Sequence, residues 1–137
     1  MIRGRYMLAA NTVSHLLKQH PIVTRRVADM PMASLCMSAV TAGELLYGLA
    51  KRPDAVRLHA VVTELIRRVD VLQWDFSAAE RYGMVRAAMD RTGRLLGSLD
   101  LLIAAHALDV GAVLVTSDRA FSRVPELRIE DWTVDRP

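Results

Sequence analysis

The sequence predicts an α/β fold, a three-layer α/β/α sandwich built on a mainly parallel sheet. Two observations carry this. Short apolar runs alternate along the chain with segments of helical periodicity. Several of those runs are apolar at every position, as strands buried on both faces must be. Length sets the scale: 137 residues, 52% of them hydrophobic, suffice for one domain over 1–137 with a sizeable core. Only 5% are aromatic, so that core has to be aliphatic.

The elements follow in order. Residues 5–9 are the first expected strand, and a helix over about 12–19 follows with Asn11 as its N-cap. Pro21 suits the first turn of the next helix, 21–29. "SLCMS" (34–38) is short, apolar and uncharged, a buried strand. The helix over 39–51 keeps Val40, Leu45, Leu46 and Leu49 at helical spacing. Pro53 ends it, and Ala55 to Arg68 form another. "VDVLQW" (69–74) is the third strand. "SAAE" (77–80) has the form of a capping box and opens a helix to about 91. "RTGRLLGS" is a loop, and "LDLLIAAHALDV" is a strongly apolar helix closed by Gly111. "AVLVTSD" (112–118) is the fourth strand and "LRIEDWTV" (127–134) supplies the last.

Composition excludes several classes. No apolar run reaches the roughly 18 residues of a membrane span. Asn11, Ser14 and His15 interrupt the apolar part of the N-terminus, against a signal peptide. The single cysteine, Cys36, allows no internal disulfide framework and suits a reducing cytoplasm. The net charge is +3, and every basic residue except Lys18 and Lys51 is arginine, whose fork suits phosphate and carboxylate. This permits nucleic-acid binding without requiring it.

In parallel sheets the ligand crevice lies beyond the carboxyl ends of the strands. Three acidic residues fall there: Glu44 after the second strand, Asp100 opening the long apolar helix, and Asp118 after the fourth strand. Each alone reads equally as a solvated residue or a helix cap. Together they need a cation, because two carboxylates about 4 Å apart repel by about 4 kcal/mol at an effective dielectric near 20. Hard oxygen donors favour magnesium or manganese over zinc. The histidines have no zinc-like spacing, and His106 reads as a satisfied helix residue. There is no GxSxG, P-loop or GxGxxG. Ser38 and Thr116 stand beside Glu44 and Asp118 as supporting groups. Arg91, Arg94, Arg119 and Arg123 flank the acidic residues and are candidates for phosphate contacts, as in nucleic-acid binding.

"YML..N", "SAVTAGELLYGLAKR", "LGSLDLLIAAHAL" and "LVTSDRAF", in this order from Tyr6 to Trp132, resemble PIN-domain ribonucleases, and more narrowly the VapC toxins of toxin–antitoxin pairs. The resemblance implies a PIN-like fold and magnesium- or manganese-dependent cleavage of RNA, often tRNA. It implies a homodimer, a larger assembly with a VapB-type antitoxin, and no membrane. Glu44, Asp100 and Asp118 match three family acids, Thr116 the family threonine, and Asn11 the asparagine of the first motif. That motif is leucine–Asp–Thr–Asn in the family and "LAAN" here, so Ala9 stands at the place of the first metal-ligating aspartate and Ala10 at that of the threonine. The chain as written is therefore expected to be catalytically impaired. Retention of the other three acids favours an introduced substitution. The alternative is a naturally inactive PIN-like module that binds an antitoxin or RNA without cleaving it. A receiver-like or phosphatase-like domain is disfavoured by Ala9 and by the lack of any lysine after Lys51.

Overall fold

The structure is a computed structural model and describes residues 4–135. Five strands, β1 (Tyr6–Leu8), β2 (Leu35–Ser38), β3 (Asp70–Leu72), β4 (Val113–Val115) and β5 (Ile129–Glu130), form one sheet in the order β3-β2-β1-β4-β5. Every pairing is parallel. Six helices make the crossovers: α1 (Ala10–Leu17), α2 (Pro21–Asp29), α3 (Ala39–Ala50), α4 (Val56–Arg68), α5 (Phe76–Arg91) and α6 (Ser98–Val110).

Side chains alternate across the sheet, and this alternation produces the layers. Met7, Cys36 and Leu114 face Val85 and Met89 of α5 and Ile103, Ala104 and Ala107 of α6. Leu8, Leu35, Met37 and Val115 face the other way, onto Val13 of α1, Val23 of α2, Ala42 of α3 and Trp132. Both faces are buried, as the uniformly apolar strands require.

The strand order fixes where a ligand can sit. From β1 the chain builds outward through β2 to β3, then returns across the sheet to β4 on the other side of β1. The direction reverses between β1 and β4, and the crevice at such a reversal opens beyond the carboxyl ends of those two strands.

Three sequence expectations are corrected. Asn11 is not an N-cap: α1 begins at Ala10, and Ala9, in the cap position, offers no side-chain acceptor. Asn11 bonds across the sheet instead. "SAAE" is not the capping box of α5, because Asp75 accepts from the Ala78 amide at 3.1 Å and so starts the helix earlier. Ser77 lies inside the helix and donates to Asp109 at 2.6 Å. The strands are also shorter than their apolar runs. The last is paired only at Ile129–Glu130, with Asp131 beyond it accepting from the Thr133 amide in a turn.

Candidate active site

The exits of β1 and β4 are tied together by polar side chains. The Ala9 amide donates to the Val115 carbonyl at 3.0 Å, and buried Thr12 donates its hydroxyl to the same carbonyl at 2.8 Å. Asn11 donates Nδ2 to Thr116 Oγ1 at 2.9 Å and accepts from the Ser117 amide at 3.3 Å. Thr116 Oγ1 also accepts from the Asp118 amide at 3.1 Å. Asn11 and Thr116 thus hold the turn that presents Asp118. Asp118 in turn caps a 3-10 turn (Arg119–Arg123), its Oδ1 accepting from the Ala120 amide at 2.9 Å.

Asp100 lies in the first turn of α6, where the helix N-terminus favours a negative charge. Its carboxyl leans back over Gly97: a Cβ on that glycine would lie 3.4 Å from Oδ2. Burial raises its pKa first, and the nearby Asp118 carboxylate raises it further. Glu44 projects from the middle of α3. Burial raises its pKa, and Asp100 adds to the effect. Asp100 is therefore the middle member of the acidic trio. Glu44 Oε1 is buried without a hydrogen-bond partner among the described residues. Burying a carboxylate oxygen this way is costly unless a cation or donor meets it.

The other candidates separate. Ser38 does not engage Glu44. Its hydroxyl accepts from the Val40 amide at 3.1 Å, capping α3, and lies 2.8 Å from His106 Nδ1. His106 is buried, its pKa is lowered chiefly by that burial, and it also bonds the backbone at Gln73, so it is the satisfied helix residue expected. Arg94 and Arg123 each donate to a backbone carbonyl. The guanidinium groups of Arg91 and Arg119 have no partner among the described residues. Sequence reasoning missed Thr12 and Gly97. Neither stands out locally, since the first acts through a carbonyl that tertiary packing brings to it and the second by lacking a side chain beside Asp100.

Ala9 is 3% exposed and packs into the apolar cluster with Met7, Cys36 and Ala104. Among the described residues no three acidic, histidine or cysteine side chains converge closely enough to enclose a cation. Position 9 supplies no carboxylate to bring them closer. The donor set nonetheless suits a hard divalent ion: carboxylates only, in no salt bridge among the described residues, with one buried oxygen unpartnered there.

The PIN domain profile matches residues 6–127. The chain is 38% identical over 130 residues to the tRNA(fMet)-specific endonuclease VapC of Shigella flexneri, covering 94% of this chain and 98% of that one. The chain belongs to the PIN-domain family, among the VapC ribonucleases. Solved VapC relatives share its shape. One in the DNA-bound VapBC structure from Salmonella typhimurium superposes with a TM-score of 0.87 at 38% identity, covering 94% of this chain and 98% of that one. One in VapBC-1 from nontypeable Haemophilus influenzae gives 0.82 at 33% identity, over 94% and 98%. PIN-domain ribonucleases are metal-dependent as a class. Within this PIN domain no described helix is long and apolar enough to cross a membrane.

Proposed function

We propose that this chain is the toxin of a toxin–antitoxin pair, a PIN-domain endoribonuclease with tRNA as its substrate class, acting in the cytoplasm and weakened in this form by Ala9. One observation carries the reading. Glu44, Asp100 and Asp118 lie in electrostatic contact at the sheet's reversal point, and Glu44 keeps a buried, unpartnered oxygen. Asp100, Asp118 and Glu44 would hold magnesium or manganese, which when bound supplies a polarised water and neutralises charge at the scissile phosphate. Asn11 and Thr116 orient Asp118, and Arg91 and Arg119, whose guanidinium groups have no partner among the described residues, are the candidates to meet phosphates. With alanine at position 9 the site lacks one donor, so metal affinity and turnover both fall.

A groove of about 520 Å³ runs from Glu44 between α1, α3 and α4, past Ala10, Leu17 and Leu45 to Lys18 and Arg52. Its apolar walls and its opening onto Glu44 suit a segment of a VapB-type antitoxin. The relatives' VapBC structures support that partner. A homodimer would use the exposed apolar side of α3.

The competing reading is an inactive binding module. The close fit of the Ala9 methyl group in the apolar cluster favours it. The deciding experiment is a ribonuclease assay on bulk tRNA, comparing this chain with Ala9→Asp in manganese and in EDTA. Discrete, metal-dependent cleavage by Ala9→Asp is the expected result. Silence from both proteins, folded and free of antitoxin, would overturn the nuclease reading and favour the binding module.

A further inference from the structure

Two of the arginines flanking the acidic site are engaged with backbone on each other's segment. Arg94 lies in the loop over 92–97 that joins α5 to α6. Its Nη1 donates to the Arg123 carbonyl at 3.0 Å. Arg123 closes the turn that Asp118 caps, and its Nη1 donates to the Leu95 carbonyl, also at 3.0 Å. Each arginine thus ties down the segment that carries the other. Leu96 of the loop packs against the apolar cluster that holds Phe121 of the turn and Val124 just after it. The two segments meet in the core and are stitched again at the surface.

Each segment ends on an acidic residue of the site. The loop runs through Gly97 into α6, where Asp100 leans back against that glycine. The turn begins at Asp118, fixed by its bond to the Ala120 amide. Two neighbouring carboxylates repel, so their separation must be set by something other than their own attraction. Each bond is exposed and modest alone, but the two act reciprocally over a shared apolar contact and restrain both segments together.

We propose that Arg94 and Arg123 are positioning residues, a reciprocal clasp that sets the spacing of Asp100 from Asp118. The clasp itself is independent of the nuclease reading, and its catalytic consequence rests on that reading. It divides the four flanking arginines into two kinds. Arg91 and Arg119 have no guanidinium partner among the described residues and remain for substrate, whereas Arg94 and Arg123 are committed to the protein.

Hydrogen exchange on the chain as it stands tests the clasp. Arg94→Ala should speed amide exchange about tenfold in residues 119–124 as well as in its own loop. Arg123→Ala should do the same across 95–101. Arg119→Ala should change neither segment. Loosening confined to the substituted segment would overturn the clasp. The positioning role is read in the Ala9→Asp background. There Arg94→Ala should weaken manganese binding several-fold by calorimetry without RNA, and lower kcat while leaving KM near its starting value. Unchanged manganese affinity would overturn positioning, and a raised KM at constant kcat would overturn it in favour of a phosphate contact. If Ala9→Asp cleaves nothing, the nuclease reading fails, while exchange and calorimetry still decide the clasp.

Discussion

Glu44 shows how far a single residue can reveal a site. Its carboxyl is half-buried, one oxygen has no partner, and its pKa is raised by burial and by Asp100. A raised native pKa means the folded protein holds the proton to higher pH than the unfolded chain. Stability therefore falls as pH rises from the ordinary glutamate range through the native value, and the penalty is complete above it. Glu44→Gln should raise the metal-free melting temperature at pH 7 by about 2–4 °C. The gain should fade near pH 4, and a gain independent of pH would contradict this account. The same argument applies to position 9. Ala9→Asp adds a carboxylate to a repelling group in a buried position, so it should melt lower than this chain in EDTA. It should also gain more from manganese, through the binding linkage. Equal manganese shifts for the two proteins would rule out a metal ligand at position 9. The electrostatic neighbourhood of Glu44, Asp100 and Asp118 was anticipated from the sequence because Glu44 and Asp100 stand out beside or within apolar helices and Asp118 follows a strand's carboxyl end. The commitment of Arg94 and Arg123 was not, because a guanidinium bound to a distant carbonyl leaves no local trace.

At the scale of elements, the helices were more legible than the strands. Helical spacing runs over many residues, and punctuation such as Pro21 and Gly111 marks the ends. Gly111 takes the left-handed conformation at φ 71° that closes α6. A strand of two or three residues shares its apolar run with flanking loop, so pairing rather than composition decides where it stops. The β5 segment shows this: the pattern extends over 127–134, but only Ile129 and Glu130 pair with β4. Cap positions fail for a related reason. Asp75 and Ser77 are both good capping residues, and only the backbone turn at Asp75 (ψ −170°) chooses between them. Asp75→Ala should therefore cost about 1 kcal/mol, the usual loss for an N-cap. Ser77→Ala removes only an exposed bond to Asp109 and should cost less in urea titration. The reverse ranking would restore the capping box.

At the scale of the whole molecule, one helix links the candidate site to an exposed apolar surface. α3 leaves β2 through the Ser38 cap, which His106 secures from the opposite layer, so its placement is tied to the sheet on both sides. Its inner face carries Thr41 and Ala42, and its flank carries Glu44. Its outer side presents Leu46 and Tyr47, 53% and 64% exposed, between the small residues Gly43 and Ala50. Large apolar side chains flanked by small ones allow close approach of a second helix. Burying them against a second copy would remove an apolar surface that otherwise faces water. A dimer built on this face would set the two Glu44 groups on one shared scaffold. Leu46→Glu with Tyr47→Glu should then reduce the sedimenting mass from dimer to monomer at micromolar concentration. Far-UV circular dichroism should stay unchanged, because neither side chain supports the core. A dimer that survives both substitutions would place the contact elsewhere and leave the α3 surface free for another partner.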